Sequence, residues 1–267
     1  MYKEIFSIIN KEFLYFIRQN KVIFFEIILP ITSFLPLILT VWFLEGNTSY
    51  ENFAYFVGTE HINNYYVIAF FGFIFFNISE NLATLLEREL YLNTLEQILL
   101  TPIKYISIII GWFIYLCIKS IIYITVFYIL AILIIDTSVV NIPLLLIGFT
   151  LMMLHSFILG TVMVIITLYL RKADAIIFTL VGILPIISCI VFPIQILPLS
   201  IQLISKLLPT TYLFDLIKYS LSGSRMIFDV WVTVLILFIS SLIMFFLSII
   251  FYKKSFERLK ICGIMKY

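Results

Sequence analysis

Asn77, Glu80, Thr84, Glu87 and Arg88 follow one another at steps of three, four, three and one. That spacing puts them on one face of a helix. An amide, a hydroxyl, two carboxylates and a guanidinium in a stripe do ion-pair and relay chemistry rather than bond breaking. The stripe either fixes a helix end through an intramolecular network or lines a wetted path. Glu80 lies in the last turns of an apolar stretch, where a carboxylate is costly unless paired or solvated. Lys119 and His155 stand deep inside two other apolar runs. Intramembrane ionisable groups are functional candidates by default. The plain alternatives are a snorkelling lysine and a neutral histidine bonded to a hydroxyl such as that of Ser156.

Catalytic constellations are missing from the sequence. There is no G-x-x-x-x-G-K-[ST], so the chain itself does not cradle nucleotide phosphates. No H-E-x-x-H motif or Cys/His cluster suggests a metal, and His61 and His155 are the two histidines. No Ser/His/Asp set is visible. The chain is therefore read as a non-enzyme with no metal and no cofactor of its own. The formal net charge of +2 offers no footprint for nucleic acid. Cys117, Cys189 and Cys262 are too few and too scattered for a disulfide framework and read as inert thiols.

The elements that must carry these residues follow from composition. Of 267 residues, 63% are apolar and 12% charged, against about 45–50% and about 25% in soluble domains. A chain with half the usual charge does not dress a water-facing surface. A membrane helix needs about 20 mainly apolar residues. Six stretches qualify: 22–44, 64–86, 106–135, 142–170, 175–192 with Pro185 inside it, and 228–252. Backbone groups in lipid must be satisfied within the segment, so the fold class is an all-α integral membrane protein with six transmembrane helices. The first span lacks a small-residue cleavage site and reads as a span rather than a signal peptide.

Charge orients the spans. Lys3, Lys11, Arg18 and Lys21 precede the first; Arg88 and Lys104 lie between the second and third. Arg171 and Lys172 separate the fourth and fifth; Lys253, Lys254, Arg258, Lys260 and Lys266 follow the sixth. The connections Glu45–His61 and Asp136–Asn141 hold no Lys or Arg. The positive-inside rule then puts both termini in the cytoplasm of a multi-pass protein. Only the connection after the fifth span departs, with Lys206, Lys218 and Arg225.

Three segments are not simple spans. Residues 3–18 place Ile5, Phe6, Ile9, Phe13, Phe16 and Ile17 at helical spacing, with Glu4, Ser7, Lys11 and Arg18 opposite. This amphipathic helix suits the inner membrane interface, as a topogenic anchor or with a further role. Thr94 with Gln97 fits a capping box that starts a short helix, and Asn93 tolerates the left-handed turn before it. Thr101-Pro102 fits the start of the third span. Leu95, Ile98 and Leu99 give the short helix an apolar face beside Glu96, either a rigid docking knuckle or an interfacial helix on lipid. Finally, 193–225 holds Pro193, Pro198 and Pro209 among many Ile and Leu. Two short helices there form either a re-entrant hairpin or a surface-lying amphipathic pair.

These pieces resemble a known family. The run Glu87-Arg88-Glu89-Leu90-Tyr91-Leu92-Asn93-Thr94-Leu95-Glu96-Gln97-Ile98-Leu99-Leu100-Thr101-Pro102 is similar to the signature E-R-E-x-x-x-G-T-L-E-x-L-L-x-T-P of type-2 ABC exporter permeases. Asn93 stands in place of glycine and supports the same turn. Lys172-Ala173-Asp174-Ala175 resembles the family's polar turn before the fifth helix. Phe192-Pro193, Leu197-Pro198 and Leu208-Pro209-Thr210-Thr211-Tyr212 resemble its F-P…L-P…L-P-x-T-Y pattern.

The resemblance implies a half-transporter that forms a homodimer in the cytoplasmic membrane and docks two copies of a separate ABC ATPase, which bind the ATP and Mg. Residues 1–21 would be an elbow helix, 22–254 the transmembrane domain and 255–267 a cytoplasmic tail. Glu87, Arg88, Thr94, Leu95, Glu96, Gln97, Leu99 and Leu100 would couple to the ATPase through the 94–100 helix. Asn77, Glu80 and Thr84 would continue the polar relay or path. Phe192, Pro193, Pro198, Pro209 and Tyr212 would form the outer gate. Phe70, Phe71, Phe73, Phe75 and Phe76 either suit a hydrophobic or amphipathic cargo, drug-like or lipid, or face lipid and neighbouring helices. Export of a lipid-linked polysaccharide, or a membrane anchor that recruits a soluble partner, are the alternatives.

Overall fold

The computed structural model describes residues 1–18, 54–131, 140–170, 173–190 and 192–262 with isolated positions 24, 28 and 32; the side chains of Glu96, Leu99, 126–131 and 259–262 are not among them. The regular elements within these residues are helical: α1 (Tyr2–Arg18), α2 (Ile62–Tyr66), α3 (Ile68–Tyr91), α4 (Leu95–Leu100), α5 (Tyr105–Ala131), α6 (Ile142–Leu170), α7 (Asp174–Ile187), α8 (Leu199–Leu207), α9 (Pro209–Ser222) and α10 (Val230–Cys262). A 3-10 turn, Ile194–Ile196, precedes α8.

Four helices among the described residues are long and apolar enough to cross a membrane: Ile62–Tyr91, Tyr105–Thr125, Ile142–Leu170 and Val230–Arg258. They correspond to the second, third, fourth and sixth spans expected from hydropathy. Apart from the isolated positions 24, 28 and 32, the expected first span, Val22–Leu44, lies outside the described residues, as do 132–139, Arg171 and Lys172.

The expected fifth span is corrected. Instead of 175–192, α7 has 14 residues and stops at Ile187. At 1.5 Å per residue it covers about 21 Å, short of about 30 Å of hydrocarbon. The stop is built in: Ser188 caps the helix and Cys189 takes φ 54. The Cys189 N–H donates to the Ile186 carbonyl at 3.1 Å, and the Ile190 N–H to the Pro185 carbonyl at 3.3 Å. That pair of bonds is a Schellman closure, which turns the chain. At the other extreme, α10 has 33 residues, about 50 Å, and continues past Tyr252. Its exposed apolar side chains run from Trp231 to Phe251, about 30 Å of helix. Beyond them the Tyr252 hydroxyl donates to the Tyr105 carbonyl at 3.1 Å, and the Phe256 ring stacks on Tyr105 at 5.2 Å.

The core forms where α3 crosses α6. A Cβ on Gly160 would lie 3.0 Å from Leu82 Cδ2 and 3.1 Å from the Ser79 carbonyl oxygen. The missing side chain lets the backbones close up, as small residues do between membrane helices. Across this contact the Ser79 hydroxyl donates to the Ser156 carbonyl at 3.1 Å. Helix α9 packs on the same two helices, with Phe214 edge-on to Phe75 at 5.5 Å.

Helix α1 keeps Ser7, Lys11 and Arg18 of its expected polar side exposed, and one further carboxylate, Glu12, turns into protein. Glu12 and Phe16 are buried, while Phe6 and Phe13 are exposed. The helix runs beside the start of α5, with Ile8 against Gly111 and the Lys119 ammonium 5.7 Å from the Phe16 ring centre. The burial of Glu12 has an electrostatic basis. A buried carboxylate needs a partner, and Glu12 finds one on α3.

Candidate functional site

The α3–α4 corner is built from backbone geometry first. Helix α3 ends with Asn93 at φ 53, the left-handed conformation that Asn tolerates better than most side chains. The Asn93 N–H donates to the Leu90 carbonyl at 3.2 Å and the Thr94 N–H to the Glu89 carbonyl at 3.1 Å. This is a Schellman motif with Asn in the usual glycine position. It turns the chain within three residues, between the end of α3 at Tyr91 and the start of α4 at Leu95.

Thr94 does not close the expected capping box. Its hydroxyl makes no cap bond to α4; it donates to Glu89 Oε2 at 2.6 Å. An ionised acceptor outcompetes a neutral backbone group for one hydroxyl. Thr101-Pro102 likewise does not start the third span. Thr101 terminates α4 in an extended conformation, and α5 begins at Tyr105. Leu95 is buried, and Leu100 is 87% exposed; Gln97 is exposed and Ile98 half-buried.

Behind α4 lies a charged network. Arg88 Nη2 donates to both oxygens of Glu12 at 2.7 Å and to Glu89 Oε1 at 3.0 Å. Lys11 Nζ donates to Glu89 Oε1 at 2.7 Å. Glu12 and Glu89 are each 1% exposed. The Arg88 guanidinium also sits 4.7 Å from the Tyr15 ring centre. Two buried carboxylates thus receive two cations and a hydroxyl, which offsets the cost of taking them out of water. The network joins α1, α3 and α4 into one body.

The polar stripe divides at this point. Arg88 turns to α1, away from Glu80 and Glu87. Asn77 Oδ1 accepts from Asn81 Nδ2 at 3.1 Å, and the Thr84 hydroxyl donates to the Asn81 carbonyl at 3.0 Å. Glu87 faces Asp174 and Thr167, with Oε1 buried and lacking a hydrogen-bond partner among the described residues. Glu80 is half-buried, and no described basic side chain forms an ion pair with it.

At the opposite end, Pro193 is buried, Phe192 and Pro198 are exposed, and Pro209 opens α9. Leu208 is extended because the residue before proline avoids the helical region. The Tyr212 hydroxyl donates to the Lys206 carbonyl at 2.6 Å, and its ring stacks on Phe228 at 5.8 Å. Lys119 and His155 are not brought together. His155 Nδ1 bonds the Leu151 carbonyl at 2.9 Å, and the buried Nε2 has no hydrogen-bond partner among the described residues. The phenylalanines of α3 pack within the bundle: Phe71 on Phe149, Phe73 on Tyr123, Phe75 and Phe76 on Phe214.

Sequence reasoning missed Glu12 as the partner of Arg88, Lys11 as a partner of Glu89, the half-buried Asp215 and the buried Lys218. Lys218 is 4% exposed, and its burial pushes the ammonium pKa down to about 8. The signal for Lys218 was its position in the connection that broke the charge pattern.

A family model described as ABC-2 family transporter protein matches residues 43–250. No curated protein matches the chain.

Proposed function

This chain belongs to the ABC-2 transporter family, as a membrane subunit of an ABC transporter, and from that premise we propose that it is the permease of an ATP-driven exporter. A separate ABC ATPase binds ATP and Mg; this chain has no phosphate loop. Two copies of the chain pair in the cytoplasmic membrane, with both termini inside, and each seats one ATPase on α4. The observation that carries this reading is the bond chain from α4 into the bundle. Thr94 is held by Glu89, Glu89 by Lys11 and Arg88, and Arg88 by Glu12. Charge-assisted bonds of this kind are short and geometrically stiff. A push on α4 therefore moves α1 and α3 with it. A helix tethered only by loop would dissipate the same push.

The cargo in this reading is a hydrophobic or amphipathic compound, a drug-like molecule or a lipid. The support comes from α7, which leaves Phe178, Ile183 and Ile186 exposed. The phenylalanines of α3 lend none, because Phe70, Phe75 and Phe76 are buried and Phe71 and Phe73 pack on Phe149 and Tyr123. The test is reconstitution with the partner ATPase in vesicles. ATP-dependent uptake of a fluorescent amphiphile into inside-out vesicles, lost on deletion of 94–100, supports the reading. Hydrolysis that never responds to any amphiphile, with no uptake, refutes it.

A further inference from the structure

Helix α9 is tied at its C-terminal end to three separate segments. The Ser220 carbonyl accepts from the Asn141 N–H at 2.8 Å, the Leu221 carbonyl from Asn64 Nδ2 at 3.0 Å, and the Ser222 carbonyl from the Thr59 hydroxyl at 2.6 Å. These are carbonyls that a helix end leaves without intrahelical partners. One turn and two turns back, the ties are made by charged side chains. Asp215 Oδ2 accepts from the Ile227 N–H at 2.8 Å, which fixes the α9–α10 connection. Lys218 Nζ donates to the Cys189 carbonyl and, at 3.4 Å, to the Phe192 carbonyl, and lies 5.1 Å from the Tyr65 ring centre. A second polar tie, 2.8 Å between the Ser188 and Thr210 hydroxyls, lies beside it.

The turn Ser188–Ile190 is where α7 stops, and Phe192 lies two residues on. This corner leaves carbonyls pointing into protein, and a buried polar group without a partner is costly. A lysine is the side chain that reaches two of them from a neighbouring helix. An ammonium that far from water is retained only where it is bonded several times. Movement of α7 against α9 requires these bonds to part.

We propose that Lys218 is the positioning residue of the outer gate, holding the α7 corner to α9 through the Cys189 and Phe192 carbonyls when the gate is closed. The proposal rests on the exporter reading, but the clamp has a readout of its own. Cys189 sits in the clamped corner and is 4% exposed, so its thiol reports opening.

The experiment labels Cys189 with a membrane-impermeant maleimide from the outside, in a Cys117→Ser/Cys262→Ser background and with the partner ATPase present. Lys218→Met should raise the labelling rate about ten- to hundredfold, since a charged hydrogen-bond pair is lost. Lys218→Arg, which keeps the donors, should stay protected. A Met variant that inserts normally and shields Cys189 as the parent does overturns the proposal. A second variant leaves Lys218 intact: Ser188→Cys/Thr210→Cys, in the same background, locks the corner by a disulfide. Oxidation should stop transport and reduction restore it; transport that continues through the lock overturns the proposal. If the parent moves no cargo at all, the exporter reading fails, while the labelling result still decides the clamp.

Discussion

The Arg88 guanidinium holds both carboxylate oxygens of Glu12 at 2.7 Å, across 76 residues of sequence. This contact buries the Glu12 carboxylate on the same helix that buries Phe16 and leaves Phe6 and Phe13 exposed. It also makes α1 part of the body that carries α4. The mechanical account therefore depends on a pair of charges more than on any apolar surface.

Removing one side of that pair should cost more than removing both. Arg88→Met leaves Glu12 and Glu89 buried with Lys11 alone, and should destabilise by about 3–5 kcal/mol. Glu12→Gln should cost less, because Arg88 keeps Glu89. A double-mutant cycle on thermal unfolding in detergent should show coupling of about 0.5–3 kcal/mol. Additive effects would mean that the contact contributes nothing specific.

The left-handed residue at the corner gives a second test. Asn93→Gly should be neutral within a few tenths of a kcal/mol, whereas Asn93→Val should cost about 1–2 kcal/mol, since a β-branched side chain resists φ 53. Unfolding midpoints of the three proteins measure this. Equal midpoints for Asn93→Val and the parent would contradict the turn.

Gly160→Val should separate α3 from α6. Its side chain would begin 3.1 Å from the Ser79 carbonyl oxygen, a backbone atom that does not step aside. Overpacking of this kind costs about 1–3 kcal/mol. Gly182→Ala, with open space around its Cβ position, is the control and should leave the unfolding midpoint unchanged or slightly raised.

Some of this was legible in the chain. The fourth expected span coincides with α6, Ile142–Leu170, because its apolar character is unbroken and its borders are polar. The left-handed Asn93 was legible because few residue types suit such a turn. Other features depend on neighbours that periodicity does not reveal. Nothing in the spacing of residues 3–18 points from Glu12 to Arg88, 76 residues away. Thr94 with Gln97 has the spacing of a capping box, yet a carboxylate five residues upstream takes the hydroxyl. The stop at Ile187 arises from a Schellman turn at Cys189, a residue with no sequence signature for positive φ. Lys218 looked like an exception to the charge rule. Its burial accounts for that, since a lysine bonded inside the protein does not weigh on orientation as a loop lysine does.

The central claim is that α4 is the seat of an ATPase, and Leu100, 87% exposed at its end, is the position to probe. A photo-activatable cross-linker placed there, in membranes that contain the partner, should capture the ABC ATPase, with a yield that changes between ATP-bound and nucleotide-free states. Cross-links to lipid alone, or none to any polypeptide in either state, would contradict the account.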